Sequence, residues 1–108
     1  MTLKSLSLSA AFALSLAAAP AFADDSADLW KAKCRSCHGA DGKADTKEGK
    51  KHQIDDISTE AWQSRHSDEK IRKAIADGVP DTKMKAYKET LSEAEIDGLV
   101  KHIRTFKK

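Results

Sequence analysis

Cysteine is nearly absent from this sequence: Cys34 and Cys37 are its only two, three positions apart, so no long-range disulfide cross-links the chain. Proline is as sparse, with none from residue 39 to residue 79. Charge of one sign is lacking too. A formal net charge of +2 provides no concentrated basic face, which argues against nucleic acid as the main partner. Beyond the N-terminal stretch there is no internal repeat, no low-complexity tract and no period-two alternation that would mark strands.

The one long apolar run lies at the start. Lys4 precedes Leu6 to Ala19, which is almost entirely Leu, Ala, Ser and Phe, and Ala21-Phe22-Ala23 fits the small-x-small rule for leader cleavage. Residues 1–23 are therefore expected to be a secretory signal peptide cleaved after Ala23, leaving 24–108 as a single domain. Pro20 interrupts the run before it reaches the roughly 20 apolar residues needed to span a bilayer, so stable membrane insertion is not expected.

A domain this small holds few large apolar residues and needs a staple. Acidic and capping residues Asp24, Asp25, Ser26 and Asp28 predict a helix running to about Cys37, closed by Gly39 and Gly42. Residues 43–58, polar and without a helical stripe, read as a loop. A short turn over 59–64 follows, then a helix capped by Ser67, carrying Ile71, Ala74 and Ile75 on one face and stopped by Gly78. Residues 79–90 form a second loop. Ser92 and Glu95 have capping-box spacing, and Ile96, Leu99, Val100 and Ile103 then recur at helical intervals. The fold class is all-α, with two long loops that need a flat apolar ligand to pack on.

Residues 34–38 read Cys-Arg-Ser-Cys-His, the pattern of covalent haem attachment. On one helical turn this gap lets each thiol bond a vinyl group on adjacent edges of the ring, and His38 falls beneath the iron. Two alternatives fit less well. A thioredoxin-like redox pair belongs with a strand-helix-strand pattern not found here. A zinc site needs four ligands, and His52, His66 and His102 lack the close spacing of finger-type sites.

With Leu29-Trp30 before the motif, Cys34 to Gly39, then Met84-Lys85-Ala86-Tyr87 and Leu91-Ser92 leading into a last helix through Ile103-Arg104, the chain resembles a class I monohaem c-type cytochrome, the small bacterial periplasmic cytochrome c. The resemblance implies the small cytochrome c fold, with first and last helices crossing and long loops wrapped around one covalent haem c. It implies a periplasmic location. It also implies Met84, the sole methionine after the leader, as distal iron ligand opposite His38, with His52 the runner-up. A soft thioether suits haem iron and raises the reduction potential relative to a second imidazole.

The sequence departs from the family pattern at Lys85, where proline is common, and in lacking a proline whose carbonyl would accept from His38. A carbonyl between Thr46 and Ile57 is expected to serve instead. The resemblance places Trp30 at the helix crossing with Leu99 and Ile103, and His102 packing beside it. His66 reads as a surface residue. Trp62 has two open roles, closing the haem's propionate side or packing in the core.

Lys31, Lys33 and Arg35 flank the haem motif, and Lys83, Lys85 and Lys88 flank Met84. They form either a basic rim that steers an acidic redox protein or a set of unrelated solvated lysines. With both axial positions filled, electron transfer is favoured over catalysis, and a soluble monomer is expected. The rivals are a peroxidase-like or gas-binding haem and a subunit docked permanently in a larger redox complex.

Overall fold

The computed structural model describes residues 22–107, and among them every regular element is helical. The leader expected over 1–23 lies almost entirely outside them. None of the described helices is long and apolar enough to cross a membrane.

The first helix is longer and less uniform than the sequence predicts. It opens as α1 (Phe22–Leu29), widens into a π turn over Trp30–Cys34, and resumes as α2 (Arg35–His38). The widening is visible in the ladder, where the Arg35 amide donates to the Trp30 carbonyl five residues back. Gly39, at φ 82° and ψ 165°, then ends the helix in a conformation that glycine adopts without steric cost.

The segment 43–58 is not wholly loop. It contains α3 (Lys47–Lys51), capped by the Thr46 hydroxyl, which accepts from the Gly49 amide. Its polar sequence has no stripe because α3 buries little more than the Gly49 backbone. A Cβ there would collide with the Ala44 carbonyl and come within 2.9 Å of the Cys37 carbonyl oxygen. Close backbone approach, rather than apolar side chains, docks α3 on α2.

Three further helices follow the sequence reading closely. Thr59 caps α4 (Glu60–Arg65) and Ser67 caps α5 (Asp68–Asp77). Ser92 and Glu95 form the reciprocal capping box at the start of α6 (Glu93–Arg104). Such a cap is worth about 1 kcal/mol, so packing must supply the rest.

That packing centres on α6, which lies against both α1 and α5. Trp30, Ile57, Ile71, Ile75, Leu91, Ile96, Leu99, Val100, Ile103 and Phe106 form one buried cluster. Leu99, only 1% exposed, is its most enclosed side chain. Burying each such Leu or Ile contributes about 1.5–3 kcal/mol. As expected, Trp30 meets Leu99 and Ile103 in this cluster, and its ring lies 5.7 Å from that of His102. Phe106 adds an edge contact to Trp30 at 4.9 Å that the sequence reading omitted.

A polar clamp closes the far side. The buried Gln63 amide donates to the carbonyls of Ile57 and Ile103 at 2.8 and 3.1 Å. Arg104 donates to the Gln63 carbonyl, the Gln63 side chain, the His66 carbonyl and Asp68. His66 is half-buried rather than a free surface residue, because its ring stacks on Trp62 at 4.2 Å and its Nδ1 lies 2.8 Å from the Trp62 carbonyl. Trp62 itself packs against the core, which matches one of its two expected roles.

Candidate cofactor site on the Cys34 to His38 turn

Cys34 ends the π turn, while Cys37 and His38 lie in α2. Both thiols are free and half-buried. Cys34 packs against the apolar cluster, and burial pushes its thiol up to about 11. It is therefore uncharged at neutral pH. A redox-active or zinc-binding cysteine needs the thiolate, whereas a neutral thiol at an apolar wall suits a thioether bond to an apolar ring. Among the described residues no three His, Cys, Asp or Glu side chains converge as a metal site of their own.

The turn is fixed from several directions. The Ala44 amide donates to the His38 carbonyl at 2.8 Å, and the Gly39 amide to the Arg35 carbonyl at 2.8 Å. The Thr46 hydroxyl donates to the Cys37 carbonyl, and the Trp30 indole N–H donates to the Gly39 carbonyl, each at 2.8 Å. Ala44 is held at φ 55° while buried, a strained conformation for a residue with a Cβ. Its neighbours at His38 and Gly49 impose it.

His38 differs from expectation at its ring. Nδ1 is buried and has no hydrogen-bond partner among the described residues, and burial lowers the pKa of the imidazole. The acceptor expected between Thr46 and Ile57 is not there, and five of that segment's carbonyls are given to other donors. Folding as α3, it gives Thr46, Glu48, Gly49 and Lys50 carbonyls to the amides of Lys50, His52, Ile54 and Gln53. The Ile57 carbonyl goes to Gln63.

Met84 lies in the connection between α5 and α6, half-buried against the same cluster as Cys34. Its carbonyl accepts from the Val79 amide at 3.1 Å, and its amide donates to the Thr82 hydroxyl at 3.1 Å. Gly78 lies directly beneath, where a Cβ would come within 2.8 Å of the Met84 carbonyl oxygen. Three residues on, Tyr87 joins this connection to the cysteine turn. Its hydroxyl donates to the Lys33 carbonyl at 3.3 Å, and burial together with the nearby Cys34 and Cys37 raises its pKa. The sequence reading quoted Tyr87 without a role; a hydroxyl on an aromatic beside the loop methionine was the available signal.

His52 is half-buried and hydrogen-bonded to Glu48 at 3.1 Å. It faces Asp81, Thr82 and Lys83 across an open cleft of about 410 Å³, so the 43–58 and 79–90 segments approach each other at this edge. The donor set fits a covalently bound haem: two half-buried thiols and an imidazole on one turn, a thioether on the facing connection, and apolar residues packed beside Cys34 and Met84.

The family model described as cytochrome c oxidase, cbb3-type, subunit III matches residues 21–103. The solved structure named KustC0563 c-type cytochrome is 36% identical, with a TM-score of 0.72, covering 78% of this chain and 99% of its own. A tyrosine-to-phenylalanine mutant of Kustc0563 is 35% identical, with a TM-score of 0.69 and coverage of 77% and 99%. No curated protein matches. The chain belongs to the c-type cytochromes, within the family of the cbb3-type oxidase subunit III domain, and has the all-helical cytochrome c fold.

Proposed function

We propose that this protein is a periplasmic one-electron carrier holding one haem c, bonded through Cys34 and Cys37 and ligated by His38 and Met84. The single observation that carries the reading is the convergence of the Cys34 to His38 turn and the Met84 connection on one apolar wall, joined by Tyr87. The haem supplies the redox couple. With haem bound, His38 and Met84 would be the residues that hold its iron and would leave no position for a substrate, while the hydrogen bonds on Cys37, His38 and Gly39 keep the attachment turn fixed.

The test is the absorption spectrum of the purified protein, oxidised and reduced. A weak red band in the oxidised form marks iron-thioether ligation. Met84→Ala should abolish it, lower the reduction potential and admit small exogenous ligands, while His52→Gln should leave it unchanged. The opposite pattern overturns the axial assignment. The mass of the exported protein should equal residues 24–108 plus one haem, which tests the leader, the covalent attachment and the stoichiometry together.

The matched family is described as an oxidase subunit, which favours a second reading as a permanently docked electron-entry domain. Recovery from osmotic-shock fluid as a monomer would exclude it.

A further inference from the structure

The hydrogen bonds that fix the cysteine turn hold its backbone, yet among the described residues the His38 ring has no hydrogen bond at Nδ1. Metal-bound histidines are ordinarily oriented by a bond from the second ring nitrogen. Here the ring has an aromatic neighbour instead. The Trp30 and His38 ring centroids are 5.7 Å apart, tilted by 41°. The same indole, 4% exposed, donates its N–H to the carbonyl of the very next residue, Gly39. On its other sides Trp30 is wedged by His102 at 5.7 Å and Phe106 at 4.9 Å. Trp30 therefore cannot turn without moving the peptide that follows His38.

We infer that Trp30 is the positioning residue of the His38 imidazole, its ring setting the tilt and its indole N–H clamping Gly39 in place of an acceptor at Nδ1. The inference rests on His38 being the iron ligand. A buried Nδ1–H without an acceptor makes the imidazole a weaker donor, which favours the reduced state. Loosening the indole admits water as an acceptor and lowers the potential.

The haem-loaded wild type is compared with Trp30→Phe, which keeps a ring but removes the N–H, and with His102→Leu. The His102 change removes another neighbour of Trp30 from the same helix crossing. The readouts are hydrogen exchange at the His38 Nδ1–H, followed by NMR on histidine-labelled reduced protein, and the reduction potential. Trp30→Phe should speed exchange about tenfold, the factor carried by one lost buried hydrogen bond, and lower the potential. His102→Leu removes one wedge but keeps the indole N–H on Gly39, so it should lose stability and shift both readouts clearly less than Trp30→Phe does.

Wild-type exchange and potential in Trp30→Phe overturn the inference. Equal shifts in both variants do so too, because Trp30 would then be only a packing residue. If Trp30→Phe fails to fold, a benzothienyl analogue of tryptophan incorporated in a Trp62→Phe background removes the N–H and keeps the shape, with the same expected result. Histidine resonances in the unmutated protein that show no ring-current shift from a porphyrin face overturn the ligation reading itself, independently of Trp30.

Discussion

The two sides of the site are built by different means. On the cysteine side, side-chain and backbone bonds of 2.8 Å tie Cys37, His38 and Gly39 to Thr46, Ala44 and Trp30, and α3 is pressed on by backbone contact. The methionine side leans on α5 through the Tyr87 and Lys88 amides, which donate to the Ile75 and Ala76 carbonyls at 2.9 and 3.1 Å. Its bond across to the cysteine turn is the longer, exposed one from Tyr87. The first side is a preformed seat; the second is a flap braced from one flank. Preorganisation thus sits where covalent bonds will also form, and adjustability sits where a soft, exchangeable ligand is supplied.

The sharpest way to break this comparison is a matched pair of glycine substitutions. Gly49→Ala drives a Cβ into backbone on the rigid side and should cost about 3 kcal/mol, the upper end for overpacking. The thermal midpoint should then fall by more than ~10 °C. Gly78→Ala sets a Cβ against the 84–86 backbone at φ 75°, but the flap can yield, so its cost should be about 1–2 kcal/mol. Its signature should instead be a shifted or weakened red band. Equal stability losses in calorimetry, with the band intact in both, would show that the two sides are equally stiff.

Charge tests whether the two sides act together. Lys31, Lys33 and Arg35 on one side and Lys83, Lys85 and Lys88 on the other are all exposed, and Lys88 is also paired with Asp77 at 3.5 Å. Converting Lys83 and Lys85 to Glu should slow association with an acidic redox partner several-fold to about tenfold at low salt and flatten its salt dependence. Lys101→Glu with Lys107→Glu is the control for total charge. Stopped-flow electron transfer across a salt series checks this, and equal slowing in both pairs would rule out a rim.

Tyr87→Phe removes the bond between the sides and nothing else. Because that bond is long and exposed, the loss should be about 0.5–1 kcal/mol, seen as a small drop in the denaturant midpoint.

The smallest effect belongs to His102. Burial holds its pKa below the ordinary 6.5, so the unfolded chain takes up the proton first. Its contribution is complete above that value and declines as pH falls through 6.5 toward the lower folded value. His102→Phe should flatten the wild-type loss of stability between neutral and mildly acidic pH, and thermal melts across that range will show it.

What the sequence disclosed was whatever rests on side-chain type and period. The caps at Ser67 and Ser92 and the stripe of α6 follow from residues that carry their own signal, and the Trp30 to His102 contact follows from the family resemblance. The misses share a cause. α3, the π turn, the strained Ala44 and the missing acceptor for His38 are all matters of backbone against backbone, which no side chain announces. Thr46 lacked a Glu or Gln three residues on, so its cap was silent, although its hydroxyl serves both α3 and Cys37.

The π turn has a genetic consequence. In a regular α-helix each residue advances the phase by about 100°, so the wide turn over Trp30–Cys34 offsets the haem motif from the face that meets α6. Lys31, Ala32 and Lys33 are exposed, and substitutions there should be absorbed easily. Their number should not be. Deleting one would restore the uniform ladder and swing the motif from Cys34 onward about a quarter turn, taking Cys34 away from the cluster it packs against. Between Trp30 and Cys34, natural variation in this lineage should therefore run to changes of letter and avoid changes of length.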